Sequence, residues 1–486
     1  MVLKFPPSLE ASADKHAMNK YYTTIGLEIH AELATQSKMF CGCKNNPDEQ
    51  EPNVNICPVC TAQPGALPVP NKRAIESMIK VGLAVGGTIA NFTQFDRKSY
   101  FYPDIPKGYQ ISQYKDPIVS GGELAGVKLT RIHLEEDTGV SQHKSDYSLI
   151  DYNRAGVPLL ELVTEPVIHD AETAGKFGRE FQLLLQTLGV AHANMEKGEL
   201  RVELNISVSA DPEKMGTKVE VKNINSFSAM MRAAKYETER MSQLLEEGRG
   251  SEIVQETRGW DESKGITFSQ RKKESSHDYR YFPDPDLRQM YLHELFNLEE
   301  LCAELPELPW QKRERYTSEY GIKAEDIESY VTDRELGTFF ESVSKILNDK
   351  ESIRIASNYI TSDLLGIIKN NGEVRLPTPD HFAKLIQMNV DGKLSSRGVK
   401  DTLAILIKIN EDPEVIAERE GLLQQNDEGA LKAIAQKHID ANPTVVAEFR
   451  GGKEASLMFL VGQIMRETKG SANPQLIQKI LRELIT

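Results

Sequence analysis

The stretch I-G-L-E-I-H-A-E-L, residues 25–33, decides how the first half of the chain is interpreted. Apolar residues occupy every second position, while Glu28, His30 and Glu32 lie between them, which is the period of a strand with one buried face. Two carboxylates and an imidazole on a packed strand could bind a divalent cation and its phosphates, because the strand fixes the ligand directions. The alternative is a solvated polar face, which is the commoner meaning of an isolated E-x-H-x-E motif.

The composition is that of a globular chain. With 486 residues, of which 40% are hydrophobic, the chain has room for about two to four domains. No apolar run is long enough to span a bilayer, and the first 20 residues lack the apolar stretch of a secretory signal, so a flexible extension and a cytoplasmic protein are expected. An organellar source stays open. The formal net charge of −14 argues against a general nucleic-acid coat and leaves room only for a local basic patch.

Four of the five cysteines are clustered in sequence. Cys41-x-Cys43 is followed by Cys57-x-x-Cys60, and paired spacing of this kind lets four thiolates converge on a zinc ion. Disulfides are the alternative, although they are uncommon in a cysteine-poor chain without a signal sequence. Cys302 stands alone and is predicted to be a small buried hydrophobe.

Further strands are predicted to carry carboxylates. The segment R-I-H-L-E-E-D-T-G, residues 131–139, reads as a strand that carries a histidine and three carboxylates into a glycine turn. Glu161 lies in the apolar run P-L-L-E-L-V, where a buried carboxylate needs a partner. Carboxylates this dense repel one another unless a cation or a basic group lies nearby.

The cleanest alternation is in E-L-R-V-E-L-N-I-S-V, residues 199–208. A turn then leads into T-K-V-E-V-K-N-I-N, so the two segments are predicted to form an antiparallel hairpin. The polar face of this hairpin carries Arg201, Glu203, Asn205, Ser207, Lys218, Glu220 and Lys222.

Two loops combine aromatic and basic residues. Residues 96–114, D-R-K-S-Y-F-Y-P-D-I-P-K-G-Y-Q-I-S-Q-Y, and residues 277–287, H-D-Y-R-Y-F-P-D-P-D-L, are interrupted by prolines that forbid a long helix. Aromatic faces beside Arg97, Lys98 and Lys107 suit a nucleotide or a tRNA end, and ordinary loop packing is the alternative.

The rest of the chain is predicted to be helical. The proline-spaced segment around Trp310 is typical of a boundary, and R-L-P-T-P-D near Arg375 indicates a second break. The last helices have a modest basic excess that could meet phosphates. The chain contains neither a G-x-x-x-x-G-K-[ST] loop nor a G-x-G-x-x-G turn after a strand, and no G-x-S-x-G elbow.

Several motifs together closely resemble the GatB/GatE family, which includes the B component of tRNA-dependent amidotransferases. They are I-G-L-E-I-H, D-R-K-S-Y-F-Y-P-D, H-L-E-E-D-T-G, D-Y-N-R-A-G-V-P-L-L-E, K-N-I-N-S-F, D-Y-R-Y-F-P-D-P-D-L and F-L-V-G-Q-I-M, and the likeness runs from about residue 21 to the end. The resemblance implies an α+β fold: an antiparallel-sheet cradle of glutamine-synthetase type over residues 21–305, a helical linker domain over 306–376 and a YqeY-like tail over 377–486.

The activity that the resemblance implies is ATP-dependent phosphorylation of the side-chain carboxylate of misacylated Glu-tRNA(Gln), Asp-tRNA(Asn) or both, followed by attack of ammonia. The implied partners are an amidase subunit, a small third subunit and the tRNA; the implied cofactors are ATP, Mg²⁺ and a structural Zn²⁺. The alternatives are a zinc-containing tRNA-binding scaffold and a small-molecule carboxylate–amine ligase.

The resemblance also implies roles for residues. Those expected to be catalytic are Glu28, His30, Lys98, Glu136, Glu161 and Glu203, with Glu28, His30 and Glu136 as magnesium ligands, and those expected to bind substrate or ATP are Arg97, Tyr102, Arg201, Asn205 and Lys222. The family usually has aspartate at the position of Glu203, so the exact role of that side chain stays open. The choice between Glu135 and Glu136 also stays open, because alternation directs only one of them toward the site. Glu32 is expected to be solvated.

Overall fold

The computed structural model describes residues 20–272, 279–371, 375–424, 428–468 and 472–485. The predicted N-terminal extension, apart from Lys20, lies outside these residues. One compact unit ends at Leu308, and a second begins at Pro309. The further division of the second unit near residue 376 stays a prediction.

The first unit contains seventeen strands among its described residues. They are β1 Tyr22–Glu32, β2 Thr88–Ile89, β3 Phe92–Thr93, β4 Asp96–Ser99, β5 Tyr109–Ser112, β6 Val119–Ser120, β7 Glu123–Leu124, β8 Val127–Glu136, β9 Val140–His143, β10 Ser148–Asp151, β11 Pro158–Thr164, β12 Leu200–Ser209, β13 Val219–Lys222, β14 Glu256–Asp261, β15 Ile266–Lys272, β16 Phe282–Pro283 and β17 Met290–Tyr291.

Ten of these strands form the central sheet. Its order is β15-β14-β13-β12-β1-β11-β8-β6-β2, with β7 paired to β8. The predicted hairpin is confirmed, since β12 and β13 pair antiparallel with Asn205 opposite Glu220. The sheet was predicted to be antiparallel, but one pair of neighbouring strands, β13 and β14, runs parallel. The chain crosses over between these two strands through a helix.

Two helices of the first unit begin at capping residues that the sequence predicts. The described helices of this unit are α1 Lys72–Ala84, α2 Ala171–Thr187, α3 Phe227–Glu246, α4 Leu292–Leu295 and α5 Leu298–Ala303, with a 3₁₀ turn at Gly250–Glu252. Asn71 accepts hydrogen bonds from the first-turn amides of α1, and Ser226 does so for α3, as the sequence predicts.

The apolar face of the sheet forms the core of this unit. Ile25, Leu27 and Ile29 of β1 are at most 1% exposed, and α3 packs on β12 while α1 packs on β8. Burial of these alternate residues fixes which side chains point the other way, since a slip of one residue would exchange the two faces. The face that carries Glu28 and His30 is therefore set by the core behind it.

The described part of the second unit is helical. Its helices are α6 Pro309–Arg315, α7 Ala324–Thr332, α8 Arg334–Leu347, α9 Lys350–Asn358, α10 Leu365–Asn371, α11 Pro379–Val390, α12 Ser396–Ile409, α13 Pro413–Arg419, α14 Glu428–Ala441, α15 Pro443–Arg450, α16 Glu454–Glu467 and α17 Pro474–Ile485, with π-helical turns at Tyr316–Tyr320 and Tyr359–Leu364. The last four helices share a hydrophobic core of their own, which includes Leu431, Leu460 and Leu481. Among the described residues, no helix combines the length and the apolar character needed to cross a membrane.

Candidate functional site

Strand register brings two histidines to the same glutamate. Glu161 on β11 is opposite His30 on β1 and also opposite His133 on β8. Oε2 of Glu161 lies 3.4 Å from Nε2 of His30 and 3.3 Å from Nε2 of His133. Three neighbouring strands thus direct ionisable side chains to one point on the polar face.

Two more carboxylates complete this group. Oε1 of Glu135 is 3.6 Å and Oε1 of Glu28 is 3.8 Å from Nε2 of His30. Glu28, His30 and Glu161 offer ligand atoms within 4.8 Å of one another, and so do His133, Glu135 and Glu161. We refer to these five residues as the carboxylate–histidine cluster.

The electrostatics of the cluster follow from its burial and its mixed charges. Burial opposes protonation of His30, but a hydrogen bond and the charge of Glu161, together with the charge of Glu135, raise the pKa of His30 to about 9. The pKa of Glu161 is held well below its usual range, because His133 and His30 outweigh the effect of burial. The pKa of Glu28 is raised by burial and by the neighbouring Glu161.

Glu136 does not belong to this cluster. Its Oε2 lies 2.5 Å from Nζ of Lys107, and its Oε1 accepts a hydrogen bond of 2.9 Å from the Ile111 amide. The period of a strand explains the difference, since His133 and Glu135 share one face of β8 and Glu136 has the opposite orientation. Glu136 therefore lies away from His30, whereas Glu135 lies beside it; which residues bind magnesium stays a prediction.

The cluster fits a hard divalent cation. Oε2 of Glu135, a residue only 2% exposed, has no hydrogen-bond partner among the described residues. A buried carboxylate oxygen without a partner is costly, and a cation would satisfy it. Three carboxylates beside imidazole nitrogens form an oxygen-rich donor set of the kind that suits Mg²⁺.

Lys98 lies beside the cluster, as expected. Its ammonium is 5.1 Å from the ring centre of Tyr279 and 5.9 Å from that of Tyr100. Although burial opposes its charge, the carboxylates of Glu135 and Glu161 raise the pKa of Lys98, so the side chain remains cationic.

Arg97 lies with a different set of partners. Its guanidinium contacts Asp284 and Asp286 at 2.8 Å each and stacks 4.3 Å from the ring centre of Tyr109. Arg97 therefore connects β4 to the loop that contains Asp284 and Asp286, and its guanidinium is directed at these carboxylates and not at the carboxylate–histidine cluster. Tyr102 is 55% exposed. His277 and Asp278, at the start of that loop motif, lie outside the described residues.

The remaining predicted residues lie on β12 and β13. Arg201, opposite His30, donates to Asp137 Oδ2 at 2.8 Å. Nζ of Lys222 lies 2.8 Å from Oε2 of Glu203 and 2.9 Å from Oε1 of Glu220, so these two carboxylates balance the charge of the ammonium. The partly buried Asn205 is opposite Gly26.

Glu32 is buried, which contradicts the expected solvated position. It is 9% exposed, and burial together with the charge of Asp137 raises its pKa to about 8. Its partners come from distant segments, Arg154 and Arg201 among them, and they were not evident from the strand pattern alone.

His133 is the one cluster residue to which the sequence analysis gave no role. The signal was present in R-I-H-L-E-E, because His133 and Glu135 occupy alternate positions of one strand. The pairing of that strand with Glu161 was not readable from the sequence.

The four clustered cysteines converge in space. Their sulfur atoms lie within 4.8 Å of one another, and all four thiols are free. Sγ of Cys57 and Sγ of Cys60 are 3.9 Å apart, close to the edge of about 3.8 Å in a tetrahedron with zinc–sulfur bonds of about 2.3 Å. The donor set therefore fits zinc. Cys302 is exposed, so its predicted burial is wrong.

Comparisons with known proteins agree with the motif resemblance. A family model described as the GatB/GatE catalytic domain matches residues 23–297, and one described as the GatB domain matches residues 338–485. A protein of Caldanaerobacter subterraneus is 44% identical over 478 residues, covering 96% of this chain and 99% of that protein. Proteins of Persephonella marina and Thermotoga maritima are 42% and 43% identical over 481 and 485 residues, each covering 96% of this chain and 100% and 99% of their own lengths. All three carry the name of the B component of an aspartyl/glutamyl-tRNA(Asn/Gln) amidotransferase.

Proposed function

The chain belongs to the GatB/GatE family, and on that premise we propose that it activates misacylated tRNA within a tRNA-dependent amidotransferase. In this proposal the side-chain carboxylate of Glu-tRNA(Gln) or Asp-tRNA(Asn) attacks the γ-phosphate of ATP and breaks its bond to the β,γ-bridging oxygen, so that ADP leaves. The resulting acyl phosphate is attacked by ammonia, which forms the amide and releases phosphate. The ammonia comes from glutamine through an amidase subunit, with a small third subunit completing the complex.

The carboxylate–histidine cluster is the proposed phosphoryl-transfer site. Glu161 would hold Mg²⁺ together with its neighbours, since its ligand atoms lie within 4.8 Å of those of Glu28 and His30 and of those of His133 and Glu135. When bound, the cation supplies positive charge that offsets the charge of the transferring phosphoryl group. The packed central strands hold the ligands in place before substrate arrives, which favours a reaction that depends on positioning.

Lys98 is proposed to stabilise charge that develops on the phosphoryl oxygens. Its ammonium lies among Tyr100, Tyr279 and the carboxylates of the cluster, and it remains charged there. A preorganised cation in a site shielded from water contributes more than the same charge in solution.

The substrate side is proposed to be the surface formed by β12 and β13. Arg201 is opposite His30 in the strand register, and its guanidinium, held by Asp137, is proposed to orient a carboxylate or phosphate. Asn205 and Lys222 extend this polar surface, and Glu203 holds Lys222 in place. Tyr102 is proposed to contact the nucleotide or the tRNA end from the exposed loop.

The carrying observation is the convergence of His30, Glu135 and Glu161 on one face, with an unsatisfied carboxylate oxygen among them. The test is Glu28→Gln and His30→Ala in the reconstituted three-subunit complex. Both substitutions are expected to abolish ATP-dependent amidation of glutamyl-tRNA, with either glutamine or ammonium as nitrogen source, while glutaminase activity persists. His143→Ala, at an exposed position on β9, is the matched control. Undiminished amidation in both site variants would contradict the assignment.

A further inference from the structure

Lys38 is a buried lysine beside the cysteine cluster. It is 1% exposed, its Nζ lies 3.9 Å from Sγ of Cys60, and it donates to the Tyr152 carbonyl at 3.1 Å. Within the described part of the chain, no carboxylate forms an ion pair with it. A buried ammonium needs a counter-charge, and the nearest group that can supply one is the set of cysteine thiolates, which keeps a net negative charge when it holds zinc.

The segment that contains Tyr152 lies directly against the cysteine loop. Asn153 is 1% exposed, accepts from the Asn55 amide at 2.9 Å and donates to the Glu51 carbonyl at 2.8 Å. The Met39 amide donates to the Gly156 carbonyl at 2.7 Å. The backbone of Gly156 has φ of 86°, and a Cβ at this residue would lie 3.6 Å from Cys60 and from Lys38. Residues 151–156 are therefore bound to the loop that carries the four cysteines, through Asn153 near one end and Gly156 at the other.

The same segment positions Asp137 at the edge of the carboxylate–histidine cluster. The Gly156 amide donates to the Asp137 carbonyl at 2.9 Å, and Arg154 lies 3.6 Å from the Asp137 carboxylate while it donates to the Gly139 carbonyl at 3.0 Å. Asp137 in turn holds Arg201, which is opposite His30. A continuous series of contacts thus joins Cys60 to Arg201.

We propose that Lys38 is a positioning residue that couples the metal state of the cysteine cluster to the placement of Asp137 and Arg201. With zinc bound, the anionic cluster holds the ammonium, and the ammonium holds the Tyr152 carbonyl and residues 151–156. Without the metal, the cysteine thiolates take up protons from solvent and become neutral thiols, so the ammonium loses its counter-charge and its contact with Cys60, and Asp137 and Arg201 lose their support. The proposal rests on the proposed zinc site but not on the proposed reaction with ATP.

The test compares Lys38→Met with Lys44→Met in the full chain; Lys44 lies in the same loop and is exposed. Amide hydrogen exchange is measured for Asp137 and for residues 152–157, together with the rate of zinc release to a chelator. Lys38→Met is expected to exchange about tenfold faster in these segments and to release zinc faster, since it removes a hydrogen bond from a charged donor. Lys44→Met is expected to match the unsubstituted chain.

A second measurement keeps the test decisive if Lys38→Met does not fold. Zinc is removed from the unsubstituted chain with a chelator, and exchange is compared in residues 137 and 152–157 and in β14, which contains none of the residues in this series of contacts and serves as an internal reference. Faster exchange confined to the first group supports the coupling. Unchanged exchange after zinc removal, or a Lys38→Met protein with normal exchange and zinc retention, overturns it. Neither readout depends on amidation, so failure of the proposed reaction would be seen separately.

Discussion

Glu135 and Glu136 are consecutive residues of β8 whose carboxylates contact different side chains. Glu135 lies 3.6 Å from His30, whereas Glu136 lies 2.5 Å from Lys107. The pair therefore provides an internal comparison in which charge and sequence position are nearly identical and only the orientation differs.

Glu135→Gln is expected to weaken binding of Mn²⁺, used as a spectroscopic substitute for Mg²⁺, by about 10- to 100-fold, because the amide removes a charged ligand. Glu136→Gln is expected to leave the affinity within about twofold, since its side chain lies with Lys107. Electron paramagnetic resonance titration of the two proteins measures this difference. Equal loss in both variants would show that the orientation has been assigned incorrectly.

Lys98→Met is expected to separate metal binding from turnover. The ammonium is directed at the cluster from the aromatic loop but is not a ligand, so Mn²⁺ affinity should change little. The rate of amidation at saturating substrates should fall by about 100-fold or more, as when a preorganised charge is removed from a transition state. Lys115→Met, at an exposed position, is the control. A rise in KM without a fall in kcat would assign Lys98 to substrate binding alone.

Purified protein is expected to contain about one zinc ion per chain, because four cysteine sulfurs converge at one point. Cys57→Ser is expected to lower both the zinc content and the midpoint of thermal unfolding, whereas Cys302→Ser, at an exposed position outside the cluster, should change neither. Elemental analysis and calorimetry provide the readouts. A folded sample with almost no zinc would contradict the metal assignment.

The tail offers a clean truncation point. The sequence suggests a cut near residue 375, but this cut would separate Phe382 from Phe339, whose ring centres are 5.4 Å apart. Helices α14–α17, by contrast, have a hydrophobic core of their own. Removal of residues 425–486 is therefore expected to leave the preceding helices folded. If helices α14–α17 contact phosphates, this truncation should lower the affinity for tRNA by about tenfold and make the affinity less dependent on salt concentration. Unchanged affinity at moderate salt would remove the tail from this role.

Glu237 is a test of stability away from the site. It is fully buried in α3 and contacts Arg240 at 2.8 Å and Arg258 at 3.1 Å. Glu237→Gln removes the counter-charge of Arg240 and one of the two carboxylates that contact Arg258, which keeps Glu256 at 2.6 Å, at a cost of about 3–5 kcal/mol. The midpoint of thermal unfolding should fall by several degrees. Glu239→Gln, on the exposed face of the same helix, should leave this midpoint unchanged. Equal midpoints would mean that solvent compensates the buried arginines.

Local patterns predicted the elements but not their neighbours. The alternation of residues 25–33 and 199–208 and the helix caps at Asn71 and Ser226 are local signals, and each was confirmed. The convergence of His30, His133 and Glu161 depends on pairing between strands far apart in the chain. No spacing within a single segment contains that information.

The environments of two charged residues were not readable from the sequence. Glu32 is polar on an alternating strand, yet Asp137 and two arginines lie around it, so its expected solvated position is wrong. Arg97 forms ion pairs with Asp284 and Asp286, while its role in binding substrate or ATP stays a prediction. In both cases the partners come from a distant segment, which the local sequence does not reveal.

The central position of β1 has a consequence for synthesis of the chain. Its two neighbours are β11 and β12, and Tyr22 near its start pairs with Ser209. At about 5–20 residues per second, the ribosome needs roughly 10–40 s to make the intervening chain. During that time at least one edge of this apolar strand has no partner, since β11 is made before β12 and both follow β1 by more than a hundred residues. Glu28 and His30 therefore meet the other cluster residues only late in translation, and the nascent N-terminal segment has to be protected until then.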